Sequence, residues 1–290
     1  MIKGREDKIF TVFNYILAAF FLIVAFYPLW YVLIASFSDA SDVAMGRVWI
    51  IPKNFTIQGY KMMLEFTEIW SGYANTIFYT VAGTLLSLFI TVPAAYALSR
   101  RTMPFRKVIN TYLIITMFIS GGLIPTYLLV QSLGLLDTRA IIVILGSVSM
   151  WNLIICRTYF DTSIPLELIE SAKLDGCDEF RIFFKIILPL SKAIIAVLTL
   201  YFAVARWNSY YTGLIYLRDQ TKWPLQLVLR QLLNAMHVDA QEVGDTTERL
   251  MEVQSMKYGI IVVASAPVLA MYPFVQKYFV KGIMIGSVKS

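Results

Sequence analysis

Histidine and cysteine are almost missing from this chain, which holds 1 His and 2 Cys in 290 residues. Cys156 lies in an apolar run and Cys177 in a polar segment, and their spacing fits neither a disulfide framework nor a zinc site. His237 stands in a polar stretch with Asp239 and Glu242 and reads as a solvated side chain. No HExxH, no GxSxG and no paired His and Cys is present, which leaves an enzyme without its parts. A glycine-rich loop ending in Gly-Lys-Ser/Thr is also absent, so this chain is not expected to hydrolyse ATP by itself. Charge is scarce at 15% of residues, against about 25% in soluble domains.

What is abundant is apolar: 58% of the residues, with a mean hydropathy of +0.66. Six segments are long enough to cross the hydrocarbon as helices, at about 9–36, 72–98, 108–131, 140–160, 192–216 and 257–279. Pro28, Pro93, Pro125 and Pro267 fall within them as candidate kinks. The first run is too long for the h-region of a signal peptide, so a retained span is expected. The basic excess, 25 Lys and Arg against 19 Asp and Glu, collects at the ends of these segments and not on one soluble face, which argues against a nucleic-acid partner.

The same basic residues orient the chain. With the N-terminus inside, the cytoplasmic pieces hold Lys3, Arg5, Lys8, Arg100, Arg101, Arg106, Lys107, Arg157, Lys173, Arg181, Lys185, Lys192, Lys277, Lys281 and Lys289, the majority of all Lys and Arg. Both termini are then expected in the cytoplasm. Within the spans ionisable side chains are nearly absent, Arg206 excepted, and Asn75 and Asn152 are neutral. A proton- or ion-coupled carrier needs such groups, so the energy for any transport must come from a partner.

One segment, 161–189, is too charged for lipid and too apolar for a linker, and it reads as two short helices. Pro165 suits a first turn, Gly176 permits the reversal that ends the first helix, and Asp178 caps the second. Leu166, Ile169 and Ala172 form a stripe on one face that packs either on the protein's own helices or on a partner.

Glu170-Ser171-Ala172, then Gly176, then nine residues to Ile186, with Leu188 and Pro189, resembles the EAA loop of ATP-binding-cassette (ABC) importer permeases. Ser171 replaces the second alanine, a small-for-small change, and Cys177 occupies a position that is commonly alanine. Gly121 to Tyr127, Trp207-Asn208, Lys222 to Leu229 and the ending Tyr272 to Lys289 are similar to carbohydrate-uptake permeases of the MalG type and, among them, to the LplC/YtcP group.

The resemblance implies an all-α integral membrane protein with a type I importer core of the MetI-like kind. Its parts would be a first span with its loop (1–71), a permease domain (72–280) and a cytoplasmic tail (281–290). It implies a non-catalytic subunit of the bacterial cytoplasmic membrane that binds no cofactor, ATP and magnesium residing on two partner ATPase subunits. A second permease and an extracellular substrate-binding lipoprotein complete the assembly, and oligosaccharide is the cargo. The ATPase contacts carried over are Leu166, Ile169, Glu170, Ala172, Asp175 and Gly176, and the tail reaches the same partner. Trp223 and Gln226 are candidate contacts to the binding protein. From the residues themselves, Arg206, Trp207, Asn208 and Tyr211, with Tyr210, are candidate pathway residues, because sugars take hydrogen bonds and aromatic faces, while Arg206 can equally pair with a partner subunit's carboxylate or with carbonyls. Two other readings stay open: an ABC permease for a non-sugar solute, and an ATPase-independent secondary carrier.

Overall fold

A computed structural model of the protein describes residues 5–242, 256–271, 273 and 276, which contain helix and no strand. A long helix α1 (Arg5–Ser36) leads through two short helices, α2 (Ala40–Ala44) and α3 (Gln58–Glu65), to a second long one, α4 (Thr67–Ser99). Helices α1 and α4 are each long and apolar enough to cross a bilayer, and both run on through an internal proline, Pro28 and Pro93. In hydrocarbon that is tolerable because neighbouring groups can satisfy the carbonyl a proline frees.

Three of the remaining apolar runs are broken where continuous helices were expected. Over 108–131 the chain forms α5 (Arg106–Phe118) and α6 (Leu123–Ser132), bent by 110°. The break falls at Gly121-Gly122, where Gly122 takes φ +81°, a conformation glycine reaches without penalty. Pro125 therefore sits in the first turn of α6, where a helix has no use for its N–H, and kinks nothing. Over 140–160 the run divides into α7 (Arg139–Ile144) and α8 (Met150–Ser163) at Gly146 (φ +76°), with Ser149 capping α8.

Next come α9 (Leu166–Leu174), α10 (Glu179–Ile182), a π-helical turn at Phe183–Ile187, α11 (Leu188–Leu190) and α12 (Lys192–Trp207). The stretch Glu179–Leu190 meets α12 at 78°, beside Ser191. The run expected over 192–216 stops at Asn208 and resumes as α13 (Tyr210–Tyr216). Between the expected spans 192–216 and 257–279, α14 (Leu225–Glu242) forms, because its amphipathic apolar residues reward a helix. The last described helix is α15 (Met256–Met271). By length and composition, α1, α4 and the two bent pairs qualify as spans among the described residues. The tail with Lys277, Lys281, Gly282, Gly286 and Lys289, and the side chains of His237, Asp239 and Glu242, lie outside the described residues.

Two compact units result. One is built from the described parts of Met1–Ile69 and Leu229–Ala266. Its core holds Ile34, Ala35, Val43 and Val48 with Tyr31 and Tyr258 packed against them. Buried Asp42 accepts from Asn54 Nδ2 at 2.7 Å, and Tyr60 donates to Ser36 Oγ at 2.7 Å, so the polar groups of the loop after α1 find partners inside it. Most of α1 is exposed apolar surface, as a lipid-facing helix would be.

The other unit comprises the described parts of Trp70–Val228 and Pro267–Ser290. Its larger core joins α4 (Val92, Ala95, Tyr96), α8 (Leu153, Cys156, Phe160), α9 (Ile169, Ala172) and α12 (Ile194, Leu198, Phe202). A smaller one gathers Tyr79, Val130, Ile141, Ile142, Tyr216 and Leu217 at the other end of α4. Along α4 the hydroxyls of Thr80, Thr84, Ser87 and Thr91 are buried without a hydrogen-bond partner.

Candidate functional site

Helix α9 is defined by its ends. Pro165 precedes its first turn with φ −60° and ψ 135°, the extended geometry of an N-cap. At the other end Gly176 takes φ +79°, its N–H donates to Lys173 O and the N–H of Cys177 donates to Ala172 O, both at 3.0 Å. That pair of bonds around a left-handed glycine is a Schellman motif, and it satisfies carbonyls that an unfinished helix would leave open. Asp178 then caps α10 by accepting from Arg181 N–H at 2.7 Å, as its place in the sequence foretold.

The stripe read from sequence divides. Ile169 and Ala172 are turned into the core against α4 and α8, so they anchor α9 to its own chain and are unavailable as surface contacts. Burying a side chain the size of Ile169 contributes about 1.5–3 kcal/mol. Leu166, Glu170, Asp175 and Gly176 are exposed. Leu174, which the sequence reading passed over, is 89% exposed, and Phe180 follows at 77%. Two large apolar side chains near the capped end of α9 therefore stand outside the core.

A carboxylate ties α9 to its surroundings. Glu179 pairs with Lys173 Nζ at 2.6 Å and accepts from Tyr96 OH at 3.0 Å, while the Arg100 guanidinium lies 5.6 Å above the Tyr96 ring. The link runs from α9 to the start of α10 and on to α4. Its register depends on long-range packing that no local pattern announces.

Arg206 is buried, as a functional intramembrane charge would be, but its partners are internal. Its Nη1 donates to Ile142 O at 2.6 Å and Leu145 O at 2.5 Å, and its Nη2 donates to Ser147 Oγ at 3.0 Å. These acceptors lie where α7 ends and the chain turns at Gly146, so the guanidinium completes the carbonyls of a broken helix. Gly83 makes room for it: a Cβ there would lie 2.6 Å from Arg206 Nε. In this structure Arg206 thus takes the carbonyl partners that its sequence position left open, and acts as a staple across the break after α7. Trp207 is buried too, its ring 6.1 Å from that of Tyr73. Asn208 and Tyr211 are exposed, on opposite sides of the α12–α13 break, so the continuous-helix geometry assumed for the cluster does not hold.

At the opposite end of α4 the turn 217–225 is clamped. Asn75 Nδ2 donates to Thr221 O (2.7 Å) and Trp223 O (3.1 Å), Tyr79 OH to Lys222 O (2.7 Å), and Leu225 N–H to Thr76 Oγ1 (2.7 Å). Asp137, with φ +55°, accepts from the N–H groups of Arg218 and Asp219 and pairs with Lys222 at 3.4 Å. Those backbone bonds hold its carboxyl below the ordinary range, and bonding to the hydroxyl of Thr221 does the same for Asp219. The carboxylate of Asp219 in turn raises Lys222. Trp223 is half-buried against the Tyr79 cluster, and Gln226 is also half-buried.

An all-helical chain of interrupted apolar spans, with a capped amphipathic helix at one end and a pinned turn at the other, has the make-up of a transport permease. The chain belongs to the binding-protein-dependent transport system inner membrane component family, whose model matches residues 69–285. It is 40% identical over 290 residues to Protein LplC of Bacillus subtilis, covering 100% of this chain and 98% of that one. The polygalacturonan/rhamnogalacturonan transport system permease protein YtcP of the same organism is 39% identical over 287 residues, covering 98% and 99%. A crystal structure of a bacterial ABC transporter involved in the import of the acidic polysaccharide alginate contains a chain with 36% identity and a TM-score of 0.84, covering 96% of this chain and 99% of that one.

Proposed function

We propose that this chain is the translocating subunit of an ATP-driven importer for oligosaccharides handed over by an extracellular binding protein, and that α9 is its cytoplasmic coupling element. The observation that carries this reading is the construction of α9. One face is locked into the core through Ile169 and Ala172, the end is fixed by Gly176, and Leu166, Glu170, Leu174 and Asp175 are left outward. A helix rigidly joined to α4, α8 and α12 transmits a push from an ATPase to the spans as a body, which a flexible loop would absorb. The ATPases, with their ATP and magnesium, and a second permease are separate chains in this account.

The remaining assignments follow the same orientation. Six spans place both termini in the cytoplasm, with domains at 1–71, 72–280 and 281–290. The turn 217–225 and the start of α14 face outward, where Asp137, Asn75 and Tyr79 keep them rigid for a loaded binding protein, with Trp223 and Gln226 nearby. Cargo of the oligosaccharide class is supported by the polysaccharide systems in which YtcP and the alginate transporter are named. With Arg206 spent on backbone carbonyls, Tyr211 and Asn208 remain the candidate contacts to sugar.

The test is topological and functional. A cysteine at Leu174 in a Cys177→Ser background should react with a membrane-impermeant thiol reagent only in inside-out vesicles. Uptake of neutral and uronate oligosaccharides in a deletion strain identifies the cargo. Labelling from the outside, or uptake independent of the ATPase, overturns the reading.

A further inference from the structure

A pocket of about 100 Å³ opens where α4 ends, α8 ends and α9 begins. On that measure one water needs about 10–15 Å³, so the pocket has room for a group larger than a water. Its polar wall is Ser99, Arg100, Arg101 and Asp161, and its apolar wall includes Phe160 and Leu166.

The charge in this wall is unbalanced. Asp161 is taken by Arg106, which reaches both of its oxygens at 2.9 and 3.0 Å, and by Arg157 at 3.3 Å. Glu179, which feels the charge of Arg100, has its two oxygens engaged by Lys173 and Tyr96. Among the described residues, no carboxylate forms an ion pair with Arg100 or Arg101. The Nε of Arg100 is sealed from solvent and donates to nothing, and so is the Nε of Arg157 beside Asp161. Buried donors without an acceptor are costly and rare in native proteins. Helix α9 meets the pocket through Leu166 at its first position and carries no side-chain cap, so the N–H groups of its opening turn, which also holds the exposed Glu167, have no side-chain acceptor.

Guanidinium forks and an open helix N-terminus in one concavity are the donor set that recognises a phosphate group. Basic pockets between membrane helices hold lipid headgroups by the same chemistry. We infer that this pocket binds a phosphate-bearing anion, either the headgroup of an anionic phospholipid or free phosphate. Bound there, the anion joins the end of α4 to the start of α9 and steadies the base of that helix. The site needs neither an ATPase nor a sugar to be occupied, so it stands or falls separately from the function proposed above.

The experiment uses the complete transporter purified with its partner subunits. Phosphatidylglycerol retained after detergent washing is counted by native mass spectrometry, and inorganic phosphate binding to the delipidated complex is measured by calorimetry. The comparison is among wild type, Arg100→Gln/Arg101→Gln and, as a control on a nearby basic residue outside this pocket, Lys107→Gln. At least one probe should bind wild type and Lys107→Gln equally and bind the double variant about tenfold more weakly. Retained lipid without phosphate affinity assigns a headgroup, and phosphate affinity in the lipid-free complex assigns the free anion. Should the double variant not assemble, Ser99→Asp, which adds a carboxylate to the same wall, should give the same loss. No binding of either probe to wild type, unchanged binding in the pocket variants, or an equal loss in Lys107→Gln overturns the inference.

Discussion

Gly176 offers the sharpest perturbation of the coupling account. It sits at φ +79° with no atom within 4 Å of where a Cβ would be, so Gly176→Ala meets no clash and its cost is conformational. Holding an L-residue left-handed costs about 1–2 kcal/mol. That is enough to raise the population of an unwound last turn of α9 by about 5–30-fold. Gly176→Pro is harsher, because it fixes φ near −65° and deletes the N–H that donates to Lys173 O, losing a further ~0.5–1.5 kcal/mol. Gly176→Asn tolerates the geometry and should be mild. None of these changes touches the core, so insertion and abundance should stay at wild-type levels. The assay is ATPase activity of the reconstituted transporter with and without loaded binding protein. Stimulation should fall in the order Gly, Asn, Ala, Pro, with the proline variant near its basal rate. Full stimulation and transport in Gly176→Pro would refute the idea that a fixed helix end transmits the push.

Arg206→Met should lower the melting temperature of the solubilised protein, since it strands the carbonyls of Ile142 and Leu145 at about 1–3 kcal/mol each. Gly83→Ala should also destabilise, and the double variant should lose less than the sum because both changes act on one contact; strict additivity would show that the contact does not matter. Thr84→Val removes a buried hydroxyl that has no partner and should raise the melting temperature, whereas a drop would mean that the hydroxyl is bonded. For the turn 217–225, Asp137 is depressed in the folded state, so its contribution is present above the ordinary carboxylate pKa and is lost as pH falls through the lower folded value. Lys222 is raised, so its contribution is present below the ordinary lysine pKa and fades as pH climbs past it. Hydrogen-exchange protection of residues 217–225 should therefore be flat between about pH 5 and 9 and fall below about pH 4. A step near neutrality would contradict that assignment.

Local chemistry was legible at the ends of α9 and α10. Gly176 and Asp178 mark the ends of α9 and α10 because a left-handed turn wants glycine and an open helix start wants an acceptor. The apolar runs were equally plain, but hydropathy has no sense of direction, so the breaks at Gly122, Gly146 and Asn208 stayed hidden inside stretches that read as single spans. Arg206 was noticed for its charge. Its role was not legible, because the carbonyls it satisfies are freed by the break after α7, far away in sequence. Gly83 and Asp137 were missed for the same reason, as each matters only through a neighbour that folding delivers. On α9 the apolar stripe was real, yet spacing alone does not say whether a stripe faces inward or outward. Packing sends Ile169 and Ala172 inward and leaves Leu174 outside.

The most direct test is Leu174→Asp. At 89% exposure the change should shift stability by no more than about 0.5 kcal/mol, so the protein should insert and pair with its partner permease normally. Placing a carboxylate in the surface proposed to seat in the ATPase should nonetheless strip that subunit from the purified complex and abolish binding-protein-stimulated hydrolysis. A Leu174→Asp transporter that keeps its ATPase at wild-type stoichiometry and turns over normally would show that α9 is not the coupling element.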